Sequence, residues 1–196
     1  ICQGQSLPLS SSTSGASYIW NTGSTQQSIN ISQSGQYIVT VTIDNCLAYP
    51  DTINVTVQSA PPVNAGANQA ICDGSNVVLT GSGASTYSWN NGGTLSSASS
   101  SNPTASPSVT TTYTLTGTDA NGCENTDQVT VSVNALPNVS AGTNQVICDG
   151  SNVVLTGSGA STYSWNNGGT LSSASSSNPT ASPSVTTTYT LTGTDA

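Results

Sequence analysis

The sequence has no lysine, no arginine, no histidine, no methionine and no phenylalanine, and its eight acidic side chains give it a formal charge of −8. Without a single cationic side chain, the chain cannot neutralise phosphates, which removes nucleic acid as an electrostatic partner. Anionic membrane surfaces are removed on the same ground. No apolar run is long enough to span a bilayer, and no charged segment precedes an apolar one as in a signal peptide. The lack of lysine also rules out an internal Lys–Asn isopeptide bond. The lack of histidine removes the usual general base: the many serines have no partner to activate them, and the carboxylates fall mostly in turns. Gly81-Ser82-Gly83 leads into a strand pattern rather than a helix, so it is no phosphate cradle. The sequence is therefore not expected to carry an enzyme.

What is present is repetition. Residues 71–120 recur without a change as residues 147–196, at an offset of 76. The first 60 residues are a diverged copy, in which Ile1-Cys2-Gln3-Gly4 matches Ile71-Cys72-Asp73-Gly74 and Tyr18-Ile19-Trp20-Asn21 matches Tyr87-Ser88-Trp89-Asn90. A tandem repeat fixes the folding unit before any local motif is read. Three modules follow: 1–60, whose lead-in strand is missing; 63–136; and 139–196, which stops before its second cysteine. The joints Ala60-Pro61-Pro62-Val63 and Ala135-Leu136-Pro137-Asn138 read as semi-rigid, because proline restricts the backbone on both sides. Since the sequence begins inside one repeat and ends inside another, it reads as part of a longer array.

Within a module, Ser and Thr alternate with Val, Leu, Ile, Tyr and Trp. This is a strand signal and not a signature of disorder. In the second module the predicted strands are Asn76–Thr80, Ser85–Asn90, Thr110–Thr118 and Asp127–Asn134, with Pro103 and Pro107 keeping the Ser-rich middle out of a central ladder. Asn91-Gly92-Gly93 is expected to be a turn with positive φ. About seven short strands per module and no helical period give an all-β fold of tandem immunoglobulin-like β-sandwiches. Trp20, Trp89 and Trp165 are the predicted core centres. Tyr113 and Tyr189 are expected to close the core, with hydroxyls bonded to nearby backbone as in a tyrosine corner.

The five cysteines are Cys2 and Cys46 in the first module, Cys72 and Cys123 in the second, and Cys148 in the third, whose partner would lie past the end of the chain. The simplest pairing is one disulfide within each complete module, which implies an oxidising, extracellular setting. Asp119, Asn121, Glu124 and Asp127 place oxygen ligands within nine residues and form a candidate calcium site, against the alternative of a plain polar turn; no other cofactor is indicated. Asn30, Asn54 and Asn138 each begin an N-glycan acceptor triplet.

The run Ile-Cys-x-Gly-Ser, then Ser-Gly-Ala-Ser-x-Tyr-x-Trp-Asn, then Thr-Thr-Thr-Tyr-Thr-Leu-Thr-Gly-Thr-Asp-x-Asn-Gly-Cys resembles the Ig-like or PKD-like repeats of secreted surface adhesins and gliding-associated proteins of Bacteroidota. That resemblance implies export by the type IX system and O-glycans on Asp-Ser/Thr-aliphatic sites. Asp51-Thr52-Ile53 fits such a site, making Thr52 the candidate. The expected role is structural: the stalk of a surface fibre or adhesin, whose partners are neighbouring modules and further copies of itself in a filament. The alternative is a carbohydrate-binding or spacer module of a secreted enzyme, with Tyr18, Tyr87 and Tyr163 as candidate glycan platforms.

Overall fold

Branched and aromatic residues at every second position set the strands, because alternate side chains of an extended chain leave opposite faces. The computed structural model describes residues 1–44, 46, 47 and 50–195. In the first module these strands are β1 (Leu7–Ser10), β2 (Ser17–Trp20), β3 (Ser28–Ile31), β4 (Gly35–Ile43), β5 (Cys46–Leu47) and β6 (Asp51–Val55). One sheet pairs β1 with β3; the other places β4 between β2 and the pair β5 and β6. Leu9, Trp20, Ile31, Val39 and Val55 meet between the sheets as a small buried cluster.

The second module repeats this plan with β7 (Gln69–Cys72), β8 (Val77–Val78), β9 (Thr86–Trp89), β10 (Thr104–Ala105), β11 (Thr111–Thr118) and β12 (Glu124–Asn134). One sheet runs β7-β12-β11-β9, and the facing one pairs β8 with β10, with Asn64 bridged to Ser82. This is an immunoglobulin-like sandwich. Tyr113, Leu115, Val129 and Val131 are completely or almost completely buried, together with Trp89, Leu79, Ile71, Ala65 and Ala105. The Trp89 indole donates to the Ser100 carbonyl at 2.9 Å, so its one polar group is satisfied. Burying about 200 Å² of ring then stabilises by roughly 5 kcal/mol at most. Trp20 does the same with the Gln26 carbonyl at 2.8 Å.

One local expectation is corrected and another is met in a particular way. The Tyr113 hydroxyl meets the Thr94 hydroxyl at 2.8 Å rather than backbone. Thr94 itself donates to the Asn91 carbonyl, which leaves Tyr113 as the donor between them. Tyr189 makes the same contact with Thr170 at 2.7 Å. In the Asn91-Gly92-Gly93 turn the left-handed residue is Asn91, with φ 53°, and a short 3₁₀ turn spans Gly92–Thr94. Asparagine tolerates that conformation, and here it starts the turn in place of either glycine.

The chain divides into two units, Ile1–Val133 and Asn134–Ala196. The second contains β13 (Val153–Val154), β14 (Thr162–Trp165), β15 (Thr180–Ala181) and β16 (Leu191–Thr194). Pairs β13–β15 and β14–β16 keep the registers of their counterparts in the second module. Trp165 is buried and its indole donates to the Ser176 carbonyl at 2.9 Å. Among the described residues, however, nothing pairs with the other edge of β16, where β11 has β12. Identical sequence therefore behaves differently. Leu155, Tyr189 and Leu191 are only half-buried, whereas Leu79, Tyr113 and Leu115 are fully buried. The stretch Gln145–Cys148 forms no strand, whereas its counterpart β7 is a strand held beside β12.

Candidate functional site

The direction of β7 determines where each cysteine lies. Asn125 reaches the Pro61 carbonyl with its side-chain amide. Asp127 accepts from the Ala65 amide, and Asn68 accepts from the Thr130 amide. As one segment advances from residue 61 to 68, its partner advances from 125 to 130, so the lead-in runs parallel to β12. Cys72, at the end of β7, therefore lies toward the downstream pole of the module, where the chain leaves. Cys123 lies before β12 at the upstream pole, where the chain enters. About eleven residues of extended chain, roughly 36 Å, separate the two levels. A disulfide tolerates a Cα–Cα distance of about 7 Å at most.

The first module has the same polarity. Cys46 stands opposite Ile43 in the pairing of β5 with β4, and Val55 stands opposite Gly35 at the other end of β4. Cys2 lies farther on still, bridged to Gln58 in parallel, with the Gln3 amide on the Gln58 carbonyl and the Gln58 amide on the Ile1 carbonyl, both at 2.8 Å. At least about 27 Å of strand thus separates the levels of Cys2 and Cys46. The pairing expected within each module is not the one formed. Instead Cys2, at the downstream pole of the first module, is bonded to Cys123, at the upstream pole of the second, with Cα atoms 5.4 Å apart. Cys46, Cys72 and Cys148 are free and exposed.

This bond crosses a joint that is also packed. Cys123 is buried at 1 % exposure. Its amide and that of Asn121 both donate to the Asp119 carboxylate, at 2.9 and 2.8 Å, which shapes the turn that presents the sulfur. Gly83 has φ +88°, and a Cβ there would lie 1.9 Å from the Pro62 carbonyl oxygen. Only glycine allows the linker to pass so close. A shallow open hollow lined by Ser59, Ala60, Pro61, Gly83, Ala84 and Asp119 flanks the joint. The bond closes a separation of 121 residues. In the chain-entropy picture, such a closure stabilises by about 5 kcal/mol relative to the reduced chain.

The candidate calcium ligands are not gathered into a site. Asp119 is engaged by its own turn, Glu124 accepts from the Thr118 hydroxyl at 3.4 Å, and Asp127 lies three residues along β12, bonded to the Ala65 amide at 2.8 Å. Among the described residues no group of three or more carboxylates and thiols is placed to hold a metal ion. The Ala65 amide and that of Gln128 hold the Asp127 carboxyl below its usual value, against a small opposing effect of burial. Sequence reasoning missed the role of Asp127 as a tie for the lead-in strand.

The candidate glycan platforms are half-buried. Tyr18 and Tyr87 pack against the two cores. Their hydroxyls donate to the carbonyls of Thr13 and Ala84, respectively. Tyr163 is likewise half-buried and accepts from the Ala160 amide. Thr52 is exposed on β6 opposite Ile38, and Asn30, Asn54 and Asn138 are exposed as well. Among the described residues no helix is long and apolar enough to cross a membrane.

No protein family and no curated protein matches the sequence. Among solved structures, the chain is similar to the N-terminal eight Ig domains of Down syndrome cell adhesion molecule, at 15 % identity and a TM-score of 0.44, over 98 % of this chain and 37 % of that one. It is similar to the titin I-band fragment I67–I69 at 12 % identity and a TM-score of 0.39, over 85 % and 75 % of the two chains. A C-terminal fragment of intimin, solved with the intimin-binding domain of its translocated receptor, gives 15 % identity and a TM-score of 0.38 over 68 % and 60 %. Likeness at this level says nothing of ligand or partner.

Proposed function

We propose that the chain is a load-bearing segment of an extracellular array: a run of Ig-like modules forming the stalk of a surface fibre or adhesin. The observation that carries this reading is the Cys2–Cys123 bond. A bond between modules fixes one bead to the next, whereas a bond within a module would only stabilise a single bead. Disulfides persist in oxidising compartments, which favours a location outside the cell. A composition rich in Ser and Thr, with charge of one sign only, suits the solubility of such an array, and the sequence resemblance to repeats of type IX-exported surface proteins of Bacteroidota supports the same reading. Repeated modules in such an array would also suit side-by-side packing of copies into a filament. The carbohydrate-binding alternative is less well supported, because the tyrosines it needs are half-buried with hydroxyls already bonded. Electron microscopy of native material, labelled with an antibody against this chain, is expected to show threads or filaments at the cell surface. Labelling confined to dispersed soluble particles would overturn the reading.

A further inference from the structure

Three of the five cysteines are free and exposed, and the polarity of the modules assigns them a partner class. Cys46 is the repeat counterpart of Cys123. Both follow the turn after the long strand that carries Tyr37 or Tyr113, and both lie at the upstream pole of their module. Cys72 and Cys148 are the counterparts of Cys2 in the Ile-Cys-x-Gly run. The one counterpart pair that the chain brings together, Cys2 with Cys123, is bonded. A first cysteine lies where the chain leaves its module, and a turn cysteine lies where the chain enters. In any head-to-tail succession of such modules, the first cysteine of one therefore meets the turn cysteine of the following one.

We propose that Cys46 is half of a second inter-module staple, and that its partner is the first cysteine of another module of this kind lying immediately upstream. This deepens the array reading and rests on it for the presence of a neighbour. The staple closes by thiol–disulfide exchange with a small-molecule disulfide such as oxidised glutathione. The Cys46 thiolate attacks the oxidant and releases one glutathione. The upstream cysteine thiolate then attacks the mixed disulfide and releases the second. Two protein thiols are oxidised to one disulfide, one glutathione disulfide is reduced to two thiols, and the protons pass to those thiols. Copies of the array would thereby be fastened at every joint by the same bond.

The test fuses a second copy of residues 63–146 directly before Ile1 of the full chain, which continues the repeat, with Cys123→Ser in the added copy so that its first cysteine is its only thiol. The fusion is oxidised in a glutathione buffer, alkylated and digested. Trypsin has no site in a chain free of Lys and Arg, but cleavage before Asp puts Cys2, Cys46, Cys72, Cys123 and Cys148 on separate peptides. The added cysteine falls on a peptide beginning at its own Val63, distinct from the native one beginning at Asp51. The expected result is the peptide of Cys46 linked to that of the added cysteine, with loss of Cys46 alkylation, and return of alkylation at the added cysteine when Cys46→Ser is introduced. The Cys2–Cys123 bond in the same molecules is the internal reference for folding. Full alkylation of Cys46 in molecules that hold that bond, or Cys46 linked to Cys2, overturns the proposal. The array reading fails separately, by imaging, since a staple could form in a fusion whose native parent is dispersed.

Discussion

Reducing the Cys2–Cys123 bond should change how far the chain extends under force, by an amount the structure sets. With the bond closed, a pull on the two termini passes through sulfur, and the 121 residues of separation are withheld from the extended length. At about 3.6 Å per residue, the hidden length is roughly 440 Å. Single-molecule pulling of the chain, tethered by tags at both ends and with free thiols blocked beforehand, reads this length directly. Oxidised molecules should show only the extension of the chain beyond Cys123. Adding reductant should lengthen the fully unfolded chain by the withheld amount. A pair of smaller gains, each of about the loop between Cys2 and Cys46 or between Cys72 and Cys123, would show bonds within modules and refute the reasoning. So would an extension that ignores reductant altogether.

Two other perturbations follow from the joint. Gly83→Ala should destabilise the Ile1–Val133 unit by about 3 kcal/mol, since it combines a left-handed backbone with a methyl group driven into the Pro62 carbonyl. Gly74→Ala, at φ +79° with nothing near its Cβ, should cost only about 1–2 kcal/mol. Equal denaturant midpoints for the two variants would deny the close approach of the linker. The Asp127 carboxyl is held low by the Ala65 and Gln128 amides. Its contribution to stability is therefore present above the unfolded carboxylate value near about 4 and lost as pH falls through the lower folded value. The Ala65 amide resonance should follow that titration by NMR, and should stay still in Asp127→Asn; an Ala65 signal indifferent to pH in the unsubstituted chain would remove the tie.

The sheet that carries Tyr113, Leu115, Val129 and Val131 was legible because alternation over eight or more residues leaves little choice of face. Trp89 was legible as the lone indole of its module, although its strand β9 ends its sheet instead of lying at the centre. Cysteine pairing was not, because two cysteines per module suggest a local bridge, and nothing in a single strand's pattern says which way it runs against a distant one. The available signal was positional: Cys72 ends a lead-in strand instead of sitting inside the sandwich, and only the parallel course of that strand beside β12 turns this into a pole. The candidate calcium ligands are spread apart for a related reason. Asp119 and Asp127 are close in sequence, but a turn claims one and the extended β12 carries the other away. The third module adds a lesson about context, since fifty identical residues bury Leu115 completely and leave Leu191 partly exposed.

The parallel course of β7 and β12 has a mechanical corollary once the sulfur bridge is opened. A backbone pulled from both poles then drags β7 by its upstream end and β12 by its downstream end. Two strands lying the same way cannot be unzipped from one corner by such a tug. They are asked to slide lengthwise past each other, so the hydrogen bonds between them resist together, in shear, until the whole set lets go.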